Sequence, residues 1–170
     1  MKRLPAAIFL TLLIGGVAIA QPAVPIDTWI TLERTPCFGA CPWYKLSISA
    51  DGAVELIPKA LDVDHREVDK PPFKVNIGVD KVKRLITEFE KINYFALNDE
   101  YITRNEEDCP SSWTDAPSAI TSISTGGKWK RILHYRGCKG NPVLDKLTTL
   151  ENKIDEIAGT EGWLKQLRTQ

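Results

Sequence analysis

Apolar and polar residues alternate through Thr28-Trp29-Ile30-Thr31-Leu32-Glu33, a β-branched and aromatic-rich run that predicts a first strand. Tyr44, Leu46 and Ile48 alternate with Lys45, Ser47 and Ser49. Asp51-Gly52 then separates that run from Ala53 to Ile57. Asp-Gly between two alternating stretches is a hairpin signal. Lys59 to Pro72 is polar and acidic and reads as a loop with room for one short strand, and Phe73 to Ile77 reads as a further strand. The period then changes. Val79, Val82, Leu85, Ile86, Phe89 and Ile92 share one helical face, with Lys81, Lys83, Glu88 and Glu90 on the others. This predicts an amphipathic helix of about 14 residues. Tyr94, Phe95 and Leu97 are expected to dock its end on the core.

Residues 98–118 carry few apolar positions. A structureless excursion of about 20 residues is uncommon in a compact domain unless it is functional or tied down, and Cys109 offers a tie. Ala119 to Ser124 and Lys128 to Tyr135, joined by Gly126-Gly127, predict a second hairpin. Asn141-Pro142 reads as an N-cap followed by proline at the first helical position. Val143, Leu144, Leu147, Leu150, Ile154 and Ile157 supply a second apolar stripe, which Gly159 ends. Thr160 can cap a last short turn carrying Trp163, Leu164 and Leu167. The order of strand, hairpin, helix, hairpin and helix predicts an α+β fold. In it a mostly antiparallel sheet is built from hairpins, with two amphipathic helices packed on one face.

The N-terminal stretch has a different pattern. Lys2 and Arg3 precede an apolar run from Leu4 to Ala20, Ala18-Ile19-Ala20 is a small-x-small cleavage site, and Gln21-Pro22 closes the run. This is the order that a secretory signal peptide requires. The run is shorter than the ~20 apolar residues of a spanning helix, and Gly15-Gly16 weakens it as one. Position 21 is Gln, so no new N-terminal Cys is available for lipid attachment. The expected organisation is a signal peptide over 1–20, a short leader over 21–26 and a single α+β domain over 27–168. The expected location is periplasmic or extracellular, with no membrane span after cleavage.

The 22 basic and 22 acidic side chains of the chain balance. Removing Lys2 and Arg3 tips that balance only slightly toward acid. A nucleic-acid partner therefore gains no electrostatic support.

The segment Leu32-Glu33-Arg34-Thr35-Pro36-Cys37-Phe38-Gly39-Ala40-Cys41-Pro42-x-Tyr44, with Asp51-Gly52 after it, resembles an uncharacterised family of small exported bacterial proteins, domain of unknown function 6438. Phe95-Ala96-Leu97 with Tyr101, Thr114-Asp115-Ala116-Pro117, His134-Tyr135-x-Gly137 and Leu150-Glu151-x-x-Ile154-Asp155 are further echoes. The Cys-Phe-Gly-x-Cys-Pro element is the specific one. The resemblance implies an envelope or secreted α+β domain and carries no established activity.

Four cysteines, Cys37, Cys41, Cys109 and Cys138, allow three pairings, and an even count in an exported chain favours disulfides. Cys37 and Cys41 bracket a turn between two strands, where a bond would pin the turn's shape. Cys109 follows Glu106-Glu107-Asp108 and Cys138 lies between Arg136 and Lys139, so charge draws the second pair together. A redox-active Cys37/Cys41 pair is the enzymatic alternative, with Arg34 near enough in sequence to favour a thiolate. Its Cys-x-x-x-Cys spacing and lack of a βαβ setting depart from thioredoxin-like enzymes.

No nucleophile elbow, metalloprotease helix, phosphate loop or dinucleotide fingerprint is present. No catalytic residue, metal or cofactor is expected. Cys-His zinc ligation through His134 lacks the paired spacing, and Asp62-x-Asp64-His65 is too short for a calcium loop. Of the five tryptophans, Trp43 and Trp113 are expected to be exposed, and Trp29, Trp129 and Trp163 to be core or half-buried. Arg34, Tyr44, Trp113 and Asp115 are the candidate ligand-binding residues. The function expected is a non-catalytic, disulfide-stapled exported domain that binds a protein, peptide or glycan of the envelope.

Overall fold

The computed structural model describes residues 23–103 and 106–168. The expected signal peptide, and Gln21 and Pro22 of the leader, lie outside the described residues. Ten strands and three α-helices occur among those described: β1 (Trp29–Arg34), β2 (Tyr44–Ser49), β3 (Ala53–Leu61), β4 (Glu67–Asp69), β5 (Phe73–Asn76), α1 (Val79–Lys91), β6 (Glu100–Tyr101), β7 (Ser111–Ser112), β8 (Ser118–Thr125), β9 (Lys128–Tyr135), β10 (Cys138–Lys139), α2 (Pro142–Ala158) and α3 (Thr160–Arg168). The main sheet runs β4-β3-β2-β1-β8-β9-β6, with β5 also paired to β3. Every pairing is antiparallel except the short β6–β9 contact.

The inward residues of the strands, from Ile30 and Leu32 through Leu46, Ile48 and Leu56 to Ile123 and Ile132, are buried. They share one core with Val82, Leu85 and Phe89 of α1 and Leu144, Leu147, Leu150 and Ile154 of α2. The chain is therefore an α+β domain with its helices on one face of a mostly antiparallel sheet. Gly126 and Gly127 both take positive φ, 57° and 73°, as a two-residue turn matched to strand twist requires. Asp27 fixes that turn by accepting from both glycine N–H groups, which holds its carboxyl below the usual range. Asn141 caps α2 by accepting from Val143 N–H at 2.9 Å.

Three segments depart from the sequence expectation. β3 continues to Leu61 and pairs with β4, so the acidic stretch before Pro72 is largely a hairpin. Asp62 tightens its turn by accepting from the N–H groups of Asp64 and Arg66 and from the Arg66 guanidinium. The excursion over 98–118 contains β6 and β7, and β7 pairs with β10 beside the Cys109–Cys138 bond. Trp29 and Trp129 are exposed, 49% and 68%, because they lie on the sheet face that no helix covers. Trp43 is half-buried and Trp113 exposed. Among the described residues, no helix is long and apolar enough to cross a membrane.

Candidate functional site

Disulfides join Cys37 to Cys41 and Cys109 to Cys138. The first closes the turn between β1 and β2 and is half-buried, whereas both sulfurs of the second belong to buried residues. Closing the longer loop contributes about 3.6 kcal/mol in the chain-entropy model, against about 2 kcal/mol for the short one.

A cleft of about 550 Å³ opens where the two staples approach each other. Cys37 and Cys41 form one side and the 113–117 loop another. His134, Arg136 and Cys138 line it from the end of β9 and the start of β10. Asn141, Pro142, Leu144, Asp145 and Thr148 close it from the first turns of α2.

The loop wall is held by its own chemistry. Tyr135 donates its hydroxyl hydrogen to the Trp113 carbonyl at 2.9 Å and accepts from Ala116 N–H. Trp113 N–H donates to the Gly137 carbonyl. Gly137 is required by close approach: a Cβ there would stand 2.5 Å from both the Trp113 oxygen and the Tyr135 ring. Trp113 is 53% exposed, and the Lys139 ammonium sits 4.5 Å from its ring centroid. Asp115 is exposed, with φ 63°.

Beneath the cleft lies a buried ionic network. Glu151 and Asp155 are one helical turn apart on α2 and so share a face. Arg34 reaches from β1 to both, donating from Nη1 to Glu151 at 2.9 Å and from Nη2 to Asp155 at 2.8 Å. Arg136 Nη1 donates to Glu151 at 2.8 Å and His134 Nδ1 donates to its other oxygen at 2.7 Å. Tyr44 and Thr160 donate their hydroxyl hydrogens to Asp155. Burial pulls the Arg34 guanidinium toward neutrality, but the charges of Asp155 and Glu151 outweigh it and the net shift is upward. Burial, then the Asp155 charge, pushes the Tyr44 phenol above its usual range.

The four residues singled out from sequence therefore do not form one surface. Trp113 and Asp115 line the cleft; Arg34 and Tyr44 are buried below it, spent on Glu151 and Asp155. Sequence reasoning took His134 as structural and missed its partnership with Glu151 and Arg136. The alternation of β9, with Ile132 inward, already placed His134 on the core face.

His134 is only 2% exposed, and its Nε2 has no hydrogen bond among the described residues. Every fully enclosed side-chain nitrogen or oxygen among them has a partner, so Nε2 is not fully enclosed, and His134 is one of the residues that line the cleft. No three His, Cys, Asp or Glu side chains gather as metal ligands among the described residues.

Among curated proteins, none matches the chain. A family model described as a domain of unknown function, DUF6438, matches residues 28–158, from the residue before β1 to the last residue of α2, and thus takes in the sheet, both staples and the ionic network. The chain belongs to that family.

Proposed function

We propose that this is a non-catalytic exported domain that engages a protein, peptide or glycan of the envelope through the cleft between its two disulfides. One observation carries the reading: both staples, the exposed Trp113 and a set of charged side chains converge on a single concavity. Its volume is within the range of small-ligand sites, and its aromatic wall is braced by hydrogen bonds. Oxidised cysteines and the charge–apolar–small order of residues 1–20 support export.

The test is site-specific photo-crosslinking in the native host. A crosslinker replacing Trp113 captures a discrete envelope partner; one replacing Trp129, on the uncovered sheet face, does not. Equal capture from both positions rejects the cleft. Turnover of any substrate that disappears on changing Asp115 or His134 rejects the non-catalytic reading. Intact mass of the native protein, with and without reductant, checks for loss of residues 1–20 and for two bonds.

A second reading is thiol–disulfide exchange at Cys37–Cys41, favoured by that bond's half-buried place in the cleft wall. It requires a reduction potential above about −300 mV; a bond that resists thiols excludes it.

A further inference from the structure

The polar groups at the floor of the cleft are only partly used. His134 lies on β9 and Arg136 in the turn just past its end, and both side chains reach Glu151 of α2 and line the cleft. Each spends one nitrogen on Glu151. The imidazole keeps Nε2, and the Arg136 guanidinium keeps its remaining N–H groups, with no other side-chain hydrogen bond among the described residues. Lys139 lines the same cleft, and among the described residues its ammonium is engaged by the Trp113 ring alone. The rim has the opposite sign. Asp115 and Asp145 are exposed on opposite walls, and neither carboxylate has a cationic partner among the described residues.

Resting on the cleft reading above, we infer that the ligand is the C-terminal end of a peptide. Its carboxylate accepts from Arg136 and Lys139, and its preceding backbone N–H groups donate to His134 Nε2, Asp115 or Asp145. A guanidinium with free N–H groups matches a planar carboxylate. Glu151 fixes the ring plane of His134 and, by taking Nδ1–H, leaves Nε2 as an acceptor for a backbone N–H of the ligand. The acidic rim disfavours a multiply charged phosphate, whereas a peptide end presents one negative group followed by donors. Trp113 supplies an apolar wall for the last side chain.

The test uses N-acetyl-trialanine as the free acid and as its C-terminal amide, titrated into the disulfide-intact protein and followed by NMR. The expected result is that the acid shifts the Arg136 guanidinium, the His134 ring and the Gly137–Lys139 amides, while the amide binds at least about tenfold more weakly, as loss of charge-assisted bonds implies. Arg136→Gln weakens the acid by about tenfold. Lys139→Gln, an exposed change that leaves the fold intact, weakens it a few-fold. Both narrow the difference between acid and amide. Equal binding of acid and amide overturns the inference, as does an acid whose shifts map away from the cleft. If a neutral chitin trisaccharide shifts cleft residues and the acid does not, the carboxylate inference falls while the cleft stands; if none of the three does, both fall.

Discussion

Glu151→Gln strikes the buried ionic network at the carboxylate that three side chains share. The Glu151 side chain is 1% exposed and takes three donors, Arg34 Nη1, Arg136 Nη1 and His134 Nδ1. With Asp155 it balances two guanidinium charges. A glutamine of the same shape removes one negative charge and turns one acceptor into an N–H, which must then face a guanidinium or the imidazole. Breaking one partner of a buried ion pair costs about 3–5 kcal/mol. Arg136, at 27% side-chain exposure, can turn partly to water; Arg34, at 10%, cannot. The expected loss is therefore about 3–4 kcal/mol, or about 6–16 °C in Tm for a domain of this size. Urea unfolding with disulfides intact, followed by tryptophan fluorescence and far-ultraviolet circular dichroism, measures it as a lower midpoint at unchanged slope. Asp155→Asn is the comparison. Asp155 is 21% exposed, so water can reach what it leaves behind and the loss is smaller. A Glu151→Gln variant within about 1 kcal/mol of wild type would refute the claim that the buried Arg34 depends on the Glu151 charge.

Three further outcomes are expected. Mild thiol reductant with alkylation labels Cys37 and Cys41 before Cys109 and Cys138, because the first bond is half-buried and the second joins two buried residues; simultaneous labelling, read by peptide mass, contradicts this. Gly137→Ala forces apart the Trp113 carbonyl and the Tyr135 ring at a cost of about 1–3 kcal/mol and changes Trp113 fluorescence; an unperturbed variant shows that the cleft wall is soft. In alkaline titration by phenolate absorbance, Tyr44 and Tyr94 ionise above the ordinary value near pH 10, chiefly because burial disfavours the phenolate. An acid raised on folding contributes stability that is intact below pH ~10 and is lost above it, where the unfolded phenol ionises first, so stability falls as pH climbs beyond that point. Four phenols ionising together near pH 10 in the folded protein would contradict the burial of these two.

The local signals in the chain were sufficient for its two long helices and its two main hairpins. α1 spans Val79–Lys91, where the apolar stripe placed it, and Asn141 caps α2 at the position that Asn-Pro marked. The acidic stretch after Ile57 was harder. Its strands are short and carry charge pairs such as Lys59 with Glu67 and Asp69, so no hydrophobic alternation announces them. Trp29 and Trp129 show a different limit. Large aromatic residues are buried on average, but position within a strand overrides residue type. Each has a buried neighbour on the opposite face nearby, Ile30 and Ile132, and register puts the two tryptophans either side of Ser124 on the uncovered face.

The candidate site was legible only in pieces, because its chemistry is long-range. Arg34 and Glu151 are 117 positions apart, and Tyr44 and Asp155 are 111 apart; no motif window joins them. Sequence could note an arginine and a tyrosine near a cysteine turn, but only packing reveals that α2 supplies their carboxylates. That arrangement changes what the residues do. Arg34 is held by Asp155 as well as Glu151 and lies below the cleft, so it neutralises and positions rather than reads a ligand. Arg136 shares the same carboxylate but keeps solvent exposure and, among the described residues, unspent side-chain donors. Of two arginines on one glutamate, the buried one is structural and the outer one is available for recognition. Arg34→Lys should therefore lower stability with little effect on the relative binding of peptide acid and amide, while Arg136→Lys should do the reverse. Measured side by side, a pair of variants that shift both properties together would remove the distinction.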